Sequence, residues 1–377
     1  MKKDESIALT RRLLEHVNNN TSDNCESPLV EDSDTFTCAT RWAAERQQFF
    51  IQTPQVIGFA GEVAQANSYL ATESMGIPVL VTRDGDGKLR AFINACAHRG
   101  AKIAEGSGCA KRLICQFHGW SYALDGRLTG RPCEKAFAND TKTDASQCGL
   151  VALPISDRHG LLVIGLDASL SQHHIDNWLA PLSKAFAGFN FSHMRHIEQQ
   201  QFAVAANWKL VVNLSHESYH FSTLHRDSLA PLMSHHAAVD DFDPHSRWAF
   251  PLKAITQLND TDEQDWPSHP PGAINHTIFP GTVVITNGQD AQLIRTEPSD
   301  SPGSCKVFYL GAYSDETKLE ASRQAYAMGG RIFSEEDLPI AEQCQQGMTA
   351  KNTMHISGCN EAVVQIWQRR WRENLSL

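Results

Sequence analysis

The chain of 377 residues has no apolar run long enough to cross a bilayer. Its longest, Gly160 to Leu166, falls far short of the ~20 residues a spanning helix needs. Positive charge is scarce as well: 33 Lys and Arg against 43 Asp and Glu leave a formal charge of −10. No basic stripe offsets that balance, which argues against nucleic acid as a partner. There is no internal repeat, no low-complexity tract, and no Gly-rich phosphate loop of the dinucleotide or P-loop kind. Nothing is therefore built to carry a nicotinamide or flavin, and any electrons the protein uses must arrive from elsewhere. The start, Met1-Lys2-Lys3-Asp4-Glu5, leads into Leu9, Leu13 and Leu14 at helical spacing without a long apolar core. That is not the pattern of a secretory signal.

What is present is a set of metal-binding side chains. Cys96-Ala97-His98 and Cys115-Gln116-Phe117-His118 are two Cys/His pairs with sixteen residues between them. Two thiolates on one iron and two neutral imidazoles on the other are the ligands of a Rieske [2Fe–2S] centre. Fewer thiolates leave the cluster less negative and raise its potential to roughly −150 to +300 mV, against about −400 mV for an all-cysteine cluster. A Cys₂His₂ zinc site is the competing reading. Cys-x-His is tight for a zinc finger, and both pairs sit in Gly-containing turns. The other eight of the ten cysteines lack the even, short spacing of a disulfide framework. They read as reduced thiols, which predicts a cytoplasmic protein.

The chain is long enough for two domains with an N-terminal extension. Residues 1–48 read as a polar helical extension, with a loose piece from Asn18 to Asp34. An antiparallel β unit follows over 49–155, marked by a hairpin signal in which Asp84-Gly85-Asp86-Gly87 joins Ile77–Val81 to Leu89–Ile93. The texture over 156–377 is mixed. Helices are expected at Ile175–Phe186, from Asn207 to His220, at Lys318–Met328 and from Ser334 to about Lys351. Strands are expected at Glu198–Ala205, Ala249–Ile255, Thr277–Thr286 and Lys306–Tyr313.

In the helix expected from Asn207, with Asn207 as N-cap, the residues Asn213, Glu217 and His220 fall at i, i+4 and i+7 on one polar stripe. His225 lies five residues past His220, about 140° around an ideal helix, so both imidazoles meet one metal only if the helix ends or bulges within 221–224. Two histidines and a carboxylate bind Fe(II) on one face and leave positions open. Asp337 is the candidate carboxylate. It reads equally as a helix N-cap or the acidic member of a Ser334-x-x-Asp337 capping box, and spacing leaves Glu336 and Glu342 as competing ligands.

Taken together, Cys-Ala-His-Arg-Gly-Ala (96–101), Cys-Gln-Phe-His-Gly-Trp (115–120), Asn-Trp-Lys (207–209) and Glu-Ser-Tyr-His (217–220) with His225 resemble one family. It is the Rieske non-haem iron oxygenases, in particular their α (terminal oxygenase) subunit, and the similarity runs from about residue 40 to the C-terminus. The resemblance implies an α+β protein: an all-β Rieske domain and an α+β helix-grip (START-like) catalytic domain. It implies a [2Fe-2S] cluster on Cys96, His98, Cys115 and His118, and a mononuclear Fe(II) on His220, His225 and Asp337. Glu217 stands where such enzymes carry the carboxylate that bridges electron transfer from His118 of a neighbouring subunit to His220, which implies a homotrimer. A separate NAD(P)H-dependent reductase, using flavin or ferredoxin, and O₂ complete the expected system.

Most relatives carry Asp at the bridge. Glu217 is similar instead to the carnitine, choline and betaine oxygenases, which act on quaternary ammonium compounds. A cation would want an aromatic cage or a carboxylate, and Phe242, Trp248, Phe250, Trp266 and Phe279 lie in the pocket-forming region. Two alternatives remain at this point. One is a dioxygenase acting on an aromatic carboxylate, which needs a pocket arginine such as Arg295; the other is a Rieske electron carrier without oxygenase activity. Iron analysis separates carrier from oxygenase: we expect about three irons per chain, whereas about two would identify a carrier.

Overall fold

The computed structural model describes residues 1–137, 140–167, 169–350 and 353–376. The chain divides into two compact units: residues 50–178 with 191–195, and residues 1–49, 179–190 and 196–377.

The first unit is built of three small sheets. Strands Ala152–Leu153, Leu89–Ile93, Ile77–Arg83, Ser68–Ser74 and Ser107–Cys109 form a five-stranded sheet in that order. Arg112–Ile114, Ser121–Ala123 and Leu128–Gly130 form a second, and Ile155–Ser156, Leu161–Ile164 and Gln55–Phe59 a third. The run Val79-Leu80-Val81 is apolar throughout because its strand is covered on both faces. Val79 and Val81 enter one core with Ile57, Leu162 and Ile164, while Leu80 enters another with Cys96, Cys115, Trp120 and Tyr122. The expected hairpin is present, with Arg83 opposite Leu89. The β unit continues past residue 155, because Leu161–Ile164 pairs with both Ile155–Ser156 and Gln55–Phe59.

The second unit carries a seven-stranded sheet. Its order is Arg195–Val204, Cys305–Tyr313, Asp290–Pro298, Thr282–Thr286, Gly272–Ile278, His245–Pro251, Ala238–Phe242. Helix Leu319–Ile332 lies on strand Cys305–Tyr313 where Gly311 leaves room for Tyr326; a Cβ there would sit 2.3 Å from that ring. The Tyr326 hydroxyl donates to the Tyr309 carbonyl at 3.2 Å.

Several elements differ from the sequence expectation, each for a local reason. The strand expected over 277–286 is two strands, because Phe279-Pro280-Gly281 forms a turn between Ile278 and Thr282. The helix expected over 175–186 is broken into Gln172–Asn177, a 3₁₀ turn at Ala180–Leu182 and Ser183–Phe186, with Pro181 inside the break. The strand expected from Ala249 to Ile255 starts at His245 and ends at Pro251. Strand Asp290–Pro298 and helix Ala362–Asn374 were not anticipated. Within the supposedly loose 18–34 piece, Leu29–Asp32 pairs with Met354–Ser357. The expected helix end at Lys351 lies outside the described residues.

The N-terminal segment is fastened to helix Trp208–Leu214 by a buried ion pair. Lys209 Nζ lies 2.5 and 2.6 Å from the two oxygens of Glu45, which also accepts from Trp208 Nε1 at 3.0 Å and Arg41 Nε at 3.1 Å. Burial pulls the Lys209 ammonium down to about 8, against the pull of Glu45. Breaking one member strands the other charge. Lys209→Met or Glu45→Gln should therefore each lower stability by about 3–5 kcal/mol, read by denaturant titration, with the double variant closer to the parent.

Candidate metal centres

Two loops of the first unit carry the Cys/His pairs, and both fold into the same turn. Cys96 N–H donates to Ala101 O and Gly100 N–H to Cys96 O, both at 2.8 Å. Cys115 N–H donates to Trp120 O at 2.8 Å and Gly119 N–H to Cys115 O at 3.0 Å. Each turn needs a left-handed residue, and Gly100 (φ +75°) and Gly119 (φ +70°) supply it. The thiols are buried, whereas His98 is half-buried and His118 exposed, so the imidazoles form the outer side of the site. The two rings lie 4.6 Å apart, and His98 stacks on Trp120 at 5.0 Å. The Tyr122 hydroxyl, 3.2 Å from Cys96 Sγ, accepts from Ala97 N–H at 3.1 Å.

His98 Nδ1 is buried with no hydrogen-bond partner, a nitrogen that a metal would satisfy. A single tetrahedral zinc draws its donors to within about 4 Å of one another. Among the described residues the four Cys/His side chains form no such group; only His220, His225 and Asp337 do, with all donor atoms within 4.8 Å. The spread of the Cys/His set fits a two-iron cluster better than one zinc.

The second centre begins at helix Trp208–Leu214. Asn207 is its N-cap, its side chain accepting from Lys209 N–H at 3.0 Å. The helix stops at Leu214, so Asn213, Glu217 and His220 do not share one helical stripe as the sequence suggested. Two diverted hydrogen bonds explain the stop. Trp248 Nε1 donates to Ser215 O at 3.0 Å, and Tyr219 N–H, its helical partner, turns to the Glu217 carboxylate. The chain then makes a 3₁₀ turn over Tyr219–Ser222, with Leu224 N–H donating to His220 O at 2.8 Å, and this brings His225 round to His220. The two rings are 4.8 Å apart.

The carboxylates come from a π-helical turn, Phe333–Asp337, which joins Leu319–Ile332 to Leu338–Met348. Asp337 thus lies inside continuous helix and caps nothing; Ser334 Oγ bonds back to Arg331 O at 3.3 Å. Asp337 Oδ1 lies 3.1 Å from His225 Nε2 and 3.7 Å from His220 Nε2. It is buried, yet no aligned hydrogen bond satisfies it. Two imidazole nitrogens converging on an orphaned buried carboxylate oxygen form a donor set that fits a ferrous ion.

The outer nitrogens are fixed in turn. His220 Nδ1 meets Glu217 Oε1, and His225 Nδ1 meets Glu336 Oε2 at 2.7 Å, with Ser228 Oγ donating to the same oxygen at 2.8 Å. A carboxylate accepts, so each Nδ1 carries the proton and each Nε2 offers a lone pair. Glu336 is therefore a positioning group for His225, and Glu342 accepts from Ala205 N–H at 2.9 Å, away from the triad. Burial raises the Asp337 carboxyl, opposed by His225 and His220. At His225 burial is outweighed by Asp337 and Glu336, and the imidazole is raised.

The triad opens on a 590 Å³ cavity lined mainly by apolar groups, among them Phe221, Trp248, Phe250 and Phe333. Of the aromatics singled out from sequence, Trp248 and Phe250 line it. Phe279 instead packs on Phe49 at 5.1 Å, and neither Phe242 nor Trp266 lines the cavity. Arg295 does not line the cavity beside the triad: it is buried, 2.5 Å from Glu297, and lies over Phe308 at 4.0 Å. It alternates with Ile294, which does line the cavity, so the strand turns it to the other face.

Residues 53–147 match the Rieske [2Fe-2S] domain, and 191–377 match the catalytic domain of the ring-hydroxylating α subunit. The chain is 26% identical over 336 residues to a chloroplastic choline monooxygenase of Atriplex hortensis, covering 85% of this chain and 73% of that protein. It is 30% identical over 288 residues to a glycine betaine monooxygenase oxygenase subunit of Pseudomonas aeruginosa, covering 73% and 65%. Two other chloroplastic choline monooxygenases are matched over 48% and 47% of their length. In fold it resembles the quaternary ammonium Rieske monooxygenase CntA crystallised with L-carnitine: TM-score 0.75, 18% identity, 96% of this chain and 99% of that one.

Asp337→Ala should lower bound iron from about three to about two per chain, leaving the visible cluster spectrum intact. Glu336→Ala should keep the triad but weaken iron binding about 10- to 100-fold in chelator competition. Unchanged affinity would remove Glu336 from its positioning role.

Proposed function

Because the chain belongs to the Rieske non-haem iron oxygenases, we propose that it is a terminal oxygenase acting on a small quaternary ammonium compound. It would use O₂ and electrons from a separate NAD(P)H-dependent reductase to hydroxylate, demethylate or cleave that substrate. The observation that carries the reading is the convergence of His220 and His225 Nε2 on Asp337 beside an aromatic cavity. Cys96, His98, Cys115 and His118 would hold the cluster, and His220, His225 and Asp337 the ferrous ion. When bound, the cluster supplies single electrons and the iron activates O₂.

The chain's own groups do the rest. Glu217 holds the Nδ1 proton of His220 and Glu336 that of His225, keeping both rings in one tautomer. Phe221, Trp248 and Phe250 exclude water and offer ring faces to a cationic head. The absence of Arg295 from the cavity wall weighs against an aromatic carboxylate. We propose a homotrimer in which His118 of one copy approaches Glu217 of the next. Supporting it, Phe117 beside His118 is 57% exposed and Tyr219 beside Glu217 is 71% exposed, large rings that a neighbour would cover. The eight cysteines outside the cluster set are unbridged, which supports a reducing, cytoplasmic setting; among the described residues no helix is long and apolar enough to cross a membrane.

Oxygen uptake with a generic reductase is expected with quaternary amines and not with aromatic carboxylates; the reverse preference would overturn the substrate class. Glu217→Gln should retain both metals yet lose turnover by at least ~100-fold, and undiminished turnover would refute its place between the centres.

A further inference from the structure

The cavity beside the triad carries a charge that the oxygenase chemistry leaves unused. Strand Asp290–Pro298 presents alternate residues to one face, and Asp290, Gln292 and Ile294 all line the cavity. Asp290 opens this stripe at the hairpin that follows Thr282–Thr286. The next residue of the stripe, Gln292, is held toward the triad side of the cavity wall. Gln292 Oε1 accepts from the Tyr309 hydroxyl at 2.7 Å, and Tyr309 stacks on Phe333 at 5.9 Å, four residues before Asp337.

The cavity's charged groups are unequal. Asp337 faces the metal position, and Glu217 holds an imidazole proton. Asp290 is half-buried and forms no ion pair among the described residues. Burial raises its pKa, against the pull of Asn287 and Ser322 beside it. No Lys or Arg is among the described lining residues. His269, also in the wall, is held down to about 4 by burial and the nearby chain N-terminus, so it is neutral at physiological pH. A carboxylate without a cation in a largely apolar cavity is a place for a cation to bind. A substrate carboxylate, in contrast, would lose its water with no cationic side chain to receive it.

We propose that Asp290 is the counter-ion of the substrate, and that the cavity selects quaternary ammonium ions with an uncharged tail over the zwitterionic members of that class. The proposal rests on the oxygenase reading above and narrows its substrate.

Calorimetric binding to the iron-loaded full chain tests it, with three probes: choline, its neutral carbon isostere 3,3-dimethylbutan-1-ol, and glycine betaine. Choline should bind at least about tenfold more tightly than either other probe. Asp290→Asn should bring choline to the level of the isostere while shifting the isostere itself less than about twofold, which reports an intact cavity. Asp290→Glu should restore part of the preference for choline. Glycine betaine binding as tightly as choline, or a choline preference that survives Asp290→Asn, would overturn the proposal while leaving the oxygenase reading in place. If no quaternary amine bound and an aromatic acid drove oxygen uptake instead, both would fall.

Discussion

An imidazole presents one nitrogen to a metal reliably only when its other nitrogen is held. Two carboxylates do the holding in this chain. Glu217 accepts a hydrogen bond from Nδ1–H of His220, and Glu336 accepts one from that of His225. Both Nε2 atoms are then left facing Asp337, whose orphaned oxygen completes the set. The surrounding backbone can be understood as serving this arrangement. The helix from Trp208 stops at Leu214 so that Glu217 can fold back on its own turn. The π-helical turn puts Glu336 and Asp337, adjacent in sequence, on different atoms of one histidine.

The supports behind these groups are apolar or fully paired. Trp248 is the clearest link, since its ring lines the cavity while its indole N–H caps the Ser215 carbonyl. The Lys209–Glu45 pair ties the N-terminal segment to the same helix, at a site with almost no solvent to screen it. Tyr309 joins strand to helix from the other side, stacking on Tyr326 at 5.0 Å and on Phe333. The reactive end is thus framed by side chains that have little freedom to move.

The sequence was most legible where chemistry constrains residue type. The Cys/His pairs, their glycines and the hairpin before them need particular residues at particular spacings, and these could be read directly. The identity of the third ligand could not. Glu336 and Asp337 differ by one position, and only the tertiary path of the π-helical turn decides which one meets Nε2 and which meets Nδ1. The same limit explains the overlong helix from Asn207. The helical spacing of Asn213, Glu217 and His220 carried it on to His220, but Trp248, thirty-odd residues on, takes the Ser215 carbonyl that would have extended it. Whether Arg295 could serve the aromatic-carboxylate reading was undecided for a related reason: strand alternation assigns it a face only once the strand Asp290–Pro298 is known. Local pattern reports faces and spacings, and long-range partners choose among them.

The twin turns around Cys96 and Cys115 belong to different sheets. The first follows strand Leu89–Ile93 of the five-stranded sheet, and the second joins Arg112–Ile114 to Ser121–Ala123 of the three-stranded one. The two sheets are nonetheless packed on one shared core of Leu80, Cys96, Leu113, Cys115, Trp120 and Tyr122, and Thr82 Oγ1 of the first donates to Leu124 O beside the second at 2.7 Å. The four donors thus stand on a framework that is already closed, so a chain starved of iron and sulfide would keep its β unit shut and its two thiols sheltered from oxidants, ready for late loading.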